Sequence, residues 1–398
     1  MKKSKKIIFL FVLFLIINFI FGFNYSSDPL YQYQWGLKNR GNGILDKSIL
    51  RENYEIMQFN YENINQFFPA FSLNNYIDDF MHIRALPNVD ISFEEAYSMY
   101  ENVKNKNNVV VAVIDSGIDI THPDLSESIW VNVDEIPGNG IDDDNNGYID
   151  DICGYNFFDN NNSVYSNPID DIHGTHATGI IISSHNNIGI KGIAYSKEHA
   201  VKIMPLKVLG SSEYGSSKAL CDAIEYAYKN GANICNVSLG LLNNELRLDT
   251  LIKDYPNMLF VVAAGNGYNF QGYNIDGMPL YPASYNYDNV IAVSNMSIDG
   301  SRYESGNFGN SVDIYAPGTF ILSTMPNNSY GFLSGTSMSA PFVSGVAAMI
   351  MSAYPKYDAY AIKKLITQSA TVDEKLIGSC ASNGRLNAFN AMILASKY

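Results

Sequence analysis

At 398 residues, with 46% hydrophobic and 17% charged residues, the chain can build one large domain or two modest ones, and its composition excludes a disordered segment. The formal net charge of −14 excludes nucleic acid as a partner, because phosphate binding needs clustered Lys and Arg. An acidic balance suits a cation, or simply a soluble surface.

The chain opens on a basic "MKKSKK" followed by an apolar run over 7–23, which reads as a secretory signal peptide. No small-x-small cleavage site follows, and the run is at the short end of what crosses a bilayer, so an uncleaved N-terminal anchor is the alternative. No comparable run follows, so the body, 24–398, is expected to be soluble and outside the cytoplasm, touching a membrane only if the first segment is retained. Residues 41–100 have no strong period.

From residue 108 onward β-branched runs alternate with helical patterns. A strand is expected over 108–115, a helix start in "THATGIIISS" and a strand in "HAVKIMPLKVL". "SSKALCDAIEYAYKNG" reads as a helix ending at Gly231, and "ANICNVSLG" and "MLFVVAAGN" as strands. "VIAVSNM" and "DIYAPG" follow, then an apolar helix after "GTSMSAP" and helices near 357–370 and 387–396. Residues 130–170, rich in Asp, Asn and Gly, should be a long loop. Apolar strands alternating with helices imply a parallel sheet covered on both faces, whose sites lie beyond the carboxyl ends of its strands. Asp115 and Asn266 both end strands. Of the four cysteines, Cys221 and Cys235 sit in apolar patterns and read as buried thiols, while Cys153 and Cys380 lie in loop-like segments and could pair.

The small residues and hydroxyls of "GTSMSAP" (335–341) at the mouth of an apolar helix suit either a helix cap or a nucleophile. A hydroxyl nucleophile needs a base to take its proton and a carboxylate to orient that base. Ser337 has candidates for both: His173 and His176 in "DIHGTHATG", and Asp115 in "VIDSG". The order Asp, His, Ser is one of those in which such triads occur. Asn266, in "AAGN", and the Ser337 N–H at a helix N-terminus could both donate to a developing oxyanion. Singly, each piece also reads as a cap, a turn or a structural histidine. Together, in one order on one sheet pattern, they point to acyl transfer.

The segments "VAVIDSGIDITHPDL", "HGTHATG", "NVSLG", "VVAAGN" and "GTSMSAP" resemble the subtilisin-like serine proteases (subtilases, peptidase family S8), and "SDPLYQYQWGLKN" and "NGRLNAFNAM" resemble the two ends of that family's catalytic domain. The resemblance covers roughly 28–40 and 87–398. It implies a three-layer α/β/α fold with a mainly parallel, seven-stranded sheet, and a serine endopeptidase acting on protein or peptide substrates as a monomer. It implies that Asp115 orients, His173 is the general base and acid, Ser337 attacks and Asn266 binds the oxyanion, while His176 packs at the helix start. Gly215 and Ser216 on one side, and Ser238, Leu239 and Gly240 on the other, are implied to flank an extended substrate as added strands, with Ala264 and Gly265 beside them. Leu280, in "PLYPASY", stands where the family often has a small residue, which predicts a shallow or apolar S1 pocket.

"GNGIDDDNNGYIDD" (138–151) has the look of a calcium loop. Asp142, Asp144 and Asn146 follow EF-type spacing, Gly147 supplies the turn and the Tyr148 carbonyl falls next. Cys153 stands where the closing Glu belongs, so Asp150 or Asp151 would complete the shell of a structural Ca²⁺. A second site, by resemblance, would use Asp124 with the loop at Asn187, Ile188 and Ile190. Secreted subtilases usually carry a propeptide after the signal, and here "SDPLYQYQWGL" leaves no room for one; the atypical insertion is internal, at 41–86. Two alternatives stand beside the secreted enzyme: a membrane-anchored processing protease, and a catalytically silent binding protein of the same fold.

Overall fold

The computed structural model describes residues 28–41, 85–210, 215–268 and 271–397. The expected signal segment and nearly all of the 41–86 insertion lie outside the described residues.

Seven strands run parallel through the middle of the molecule: β1 Val109–Asp115, β2 Tyr155–Asn156, β3 Val201–Lys207, β4 Ile234–Val237, β5 Leu259–Ala263, β6 Val290–Met296 and β7 Ile314–Pro317. The antiparallel pair β8 Ile321–Met325 and β9 Ser329–Leu333 forms a separate hairpin. Two short strands, β10 Thr371–Val372 and β11 Gly384–Arg385, extend the main sheet at one edge. The order is β10-β11-β7-β6-β5-β4-β1-β3-β2, so the sheet has nine strands rather than seven. The two extra strands are two residues long, too short to leave an alternation in the sequence.

Among the described residues seven α-helices accompany the strands: α1 Phe93–Glu101, α2 Ile172–Ile182, α3 Ser217–Lys229, α4 Leu246–Asp254, α5 Thr336–Ala353, α6 Ala359–Gln368 and α7 Ala388–Lys397. Helix α1 falls in a stretch expected to lack a period. Its buried Phe93, Ala96 and Tyr100 recur at three and four residues, a stripe obscured by the irregular segment before it. The central strands are buried along nearly their whole length, as both-faced burial in a parallel sheet demands. Helix α5 is apolar enough to cross a membrane, yet every residue of it except Ala353 is buried inside the protein. It crosses under β4, β5, β6 and β7, and burial of side chains such as Val343, Val346 and Ile350 contributes about 1.5–3 kcal/mol each.

Residues 28–41 fold back onto this core. Trp35 is buried and donates its indole N–H to the Thr319 carbonyl at 2.8 Å. All four cysteines are free; Cys153 and Cys380 do not pair.

Candidate active site

Three adjacent strands deliver residues to one edge. β1 ends in Asp115, β4 runs into Ser238 and β5 runs into Asn266. Helix α2 begins directly after Asp171, which sets His173 in the first turn. Helix α5 sets Ser337 in its first turn.

His173 Nδ1 and Asp115 Oδ1 are 2.8 Å apart, with Asp115 buried and the His173 side chain 35% exposed. The Ser116 N–H also donates to Asp115 Oδ1, at 2.6 Å. Burial works against the imidazolium, but the charge and hydrogen bond of Asp115 outweigh it, and His173 titrates above its ordinary 6.5. His176 is different. Its Nε2–H donates to the carbonyls of Ile321 and Gly331 in the hairpin, and burial pushes it down to about 3. Ser323 and Thr324 donate back to the carbonyls of His176 and Thr175, so the hairpin holds α2 in place. The hairpin itself escaped the sequence reading. Its turn relies on Asn327 and Asn328 at positive φ, which asparagine tolerates without a glycine to mark it.

Ser337 Oγ donates to the Ser238 carbonyl at 3.2 Å, and Ser238 Oγ donates back to the Ser337 carbonyl at 3.3 Å. Pro341 explains the second bond. It stands four residues after Ser337 and has no N–H, so the Ser337 carbonyl lacks its helical partner and takes the hydroxyl instead. Asn266 Oδ1 accepts the Thr336 N–H at 2.8 Å and the Thr336 hydroxyl at 3.2 Å. Nδ2, a pure donor, is then left with no hydrogen bond among those of the described residues. Gly335, at φ 149°, is where only glycine sits easily, and a Cβ there would come within 3.2 Å of Asn266 Nδ2.

Leu239 and Gly240 make no backbone hydrogen bond among the described residues, leaving an edge free for an added strand. Across the cleft, Ser216 caps α3 through its hydroxyl, so it and Gly215 have only main-chain groups to offer. The carbonyls of Ala264 and Gly265 are taken by Asn307, and Ala264 is fully buried, which leaves only Gly265 part-exposed. The Leu280 side chain lies between Gly240 and Gly265: a Cβ on either would meet it within 2.8 Å.

In the acidic loop the structure brings Asp144 and Asp151 together with Glu135, a residue the spacing argument missed. One carboxylate oxygen of each lies within 4.8 Å of the others. Glu135 precedes the EF-like register and carries no motif of its own; only folding brings it in. Asp142 and Asp150 spend their oxygens on the N–H groups of Asn146, Gly147, Asn139 and Gly140. Asn146 bridges Asp144 and Asp151 through its amide, while the Tyr148 ring packs against Tyr155, Phe157 and Tyr226. Among the described residues no Lys or Arg pairs with Glu135, Asp144 or Asp151. The amides of Asn132 and Asn146 bridge Asp144 and Asp151, and an all-oxygen set of three carboxylates this close also suits Ca²⁺. At the second expected site, Asp124 accepts from Asn186 Nδ2, the Ile190 N–H and the Tyr330 hydroxyl. Burial raises its carboxyl to about 6 against those donors. Ile188 is exposed, and the Asn187 N–H donates to Asp28.

A parallel α/β sheet with Asp, His, Ser and an amide donor gathered at one carboxyl edge defines the serine-hydrolase class. The chain belongs to the subtilase family, whose model matches residues 106–390. It is 33% identical over 311 residues to "Subtilisin-like protease 1" of Plasmodium falciparum (isolate 3D7), covering 72% of this chain but 44% of that protein. It is 33% identical to "Subtilisin DY" of Bacillus licheniformis, over 66% of this chain and 84% of that one. It is 36% identical to the "Major intracellular serine protease" of Bacillus subtilis (strain 168), over 69% and 78%. The chain thus spans less than half the length of the Plasmodium relative.

Proposed function

We propose that the chain is a secreted, calcium-stabilised serine endopeptidase that cleaves peptide bonds through an acyl-enzyme. The observation that carries this reading is the 2.8 Å contact of His173 Nδ1 with buried Asp115, at the sheet edge that also holds Asn266 and the turn carrying Ser337. A peptide adds as a strand beside Ser238–Gly240. The Ser337 hydroxyl leaves the Ser238 carbonyl, gives its proton to His173 Nε2 and attacks the scissile carbonyl. Asn266 Nδ2 and the Ser337 N–H hold the oxyanion. His173 then protonates the leaving amine, and water, deprotonated by the same imidazole, releases the acyl group. Asp115 keeps the tautomer with Nδ1–H and stabilises the imidazolium.

For the cation, Glu135, Asp144 and Asp151 are the donor set we assign; Ca²⁺ there would neutralise the cluster and stiffen the loop. Asp124 is engaged by three donors of the protein, and Glu135 and Asp151 also accept from the protein's own groups, so the assignment of Ca²⁺ to the acidic loop rests on its three clustered carboxylates.

The test is labelling of the purified chain by a fluorophosphonate, beside Ser337→Ala, with calcium and with chelator. Labelling lost in Ser337→Ala supports the reading. A folded chain that does not label in calcium refutes it in favour of a silent member of the fold. The 2.8 Å contact of His173 with buried Asp115 argues against that alternative.

A further inference from the structure

Behind the candidate triad lies a buried ion pair that the chemistry above does not use. Lys207 ends β3 directly beside Asp115 at the end of β1. Its Nζ is 2.6 Å from Asp171 Oδ1, and the two side chains are 1% and 0% exposed. The same Nζ donates to the Ser116 carbonyl. Asp171 is the residue that starts α2, two positions before His173. Its second oxygen accepts the N–H groups of Ser166 and Asn167, and its carbonyl accepts both the N–H and the hydroxyl of Thr175. Ser116 closes the circuit: its N–H donates to Asp115, and its hydroxyl accepts the Gly174 N–H at 3.1 Å. The packing is tight, for a Cβ on Gly117 would lie 2.4 Å from Asp171 Oδ1.

Removing two charges from water costs several kcal/mol each, and an apolar pair of the same volume often serves stability as well or better. Stability therefore does not explain the pair. Geometry does, since the pair bridges the two elements whose relative placement decides the His173–Asp115 contact.

We infer that Lys207 and Asp171 are positioning residues, a charged clamp that locks the Asp115 end of β1 to the His173 end of α2. The inference rests on the protease reading for its effect on turnover. It also makes an electrostatic prediction that needs no turnover. The charged and titratable groups that bear on His173 are Asp115 on β1 and His176 on α2, with the clamp itself, Lys207 on β3 and Asp171 at the start of α2, behind them. The clamp as a pair is neutral to its neighbours; either partner alone is not.

The experiment follows the His173 titration by NMR in the Ser337→Ala chain. Asp171→Asn keeps the shape and leaves Lys207 uncompensated, so the His173 midpoint falls by roughly half a unit or more. Lys207→Met leaves Asp171 uncompensated, and the midpoint rises by about as much. In the active chain the double variant Lys207→Met with Asp171→Leu removes both charges. It folds, and its kcat falls about tenfold or more with KM held within about twofold, because the reacting groups are misplaced while the substrate edge is intact. Midpoints that move together or not at all overturn the inference, as does a folded double variant with the parent's kcat. If the parent neither turns over nor labels, the protease reading fails by itself, and the NMR midpoints still decide the clamp.

Discussion

At the scale of single residues, the protonation of His173 sets the pH response. Its pKa is raised, and the base form is the neutral one, so the acid limb of kcat/KM should lie above pH 6.5. Asp115→Asn removes what raises it and leaves the burial that lowers it. The limb should then move down, and kcat should fall by about 10⁴, since the wrong tautomer is favoured. A stopped assay from pH 5 to 9 checks both; an unmoved limb would assign the titration to another group. Leu280 makes a separate point. Wedged between Gly240 and Gly265, it fills the base of the expected S1 pocket. Leu280→Gly should admit larger P1 side chains, read as a shift of cleavage sites in a peptide library, and an unchanged P1 profile would remove Leu280 from that role.

At the scale of elements, the acidic loop and the β8–β9 hairpin matter most. Asp144, Asp151 and Glu135 come from a loop with little secondary structure, held by side-chain hydrogen bonds such as those of Asn132 and Asn146. Chelation should lower the melting temperature, and Glu135→Gln should lower it in calcium by less than chelation does in the parent, with chelator then having a smaller further effect. A melting curve indifferent to chelator defeats the calcium assignment. The hairpin acts through hydrogen bonds. His176, Ser323 and Thr324 tie it to α2, which is why the second histidine of "HGTHATG" is buried and neutral rather than reactive.

At the scale of the whole molecule, the described N-terminal segment belongs to the core. Trp35 is buried and hydrogen-bonded to Thr319, so Trp35→Ala should destabilise by about 3–5 kcal/mol in chemical denaturation, with little effect on labelling of the protein that remains folded. A loss under about 1 kcal/mol would show that this segment does not carry stability. Much of this was legible beforehand for a physical reason. The strand runs, the strand-end Asp115 and Asn266, and the small residues before α5 are local demands of backbone and helix, and they are written at consecutive positions. Cross-chain partners are not. Lys207 beside Asp171, the hairpin over His176 and the Ser238–Ser337 exchange each join residues far apart in the chain. The same is true of α1, whose short stripe gains meaning only against the core it covers. What the sequence by itself determined was the alternation of elements and the residues brought to the sheet edge. What only the tertiary structure decided was which of them meet, because hydrogen bonds and ion pairs between distant segments depend on packing and leave no periodic mark.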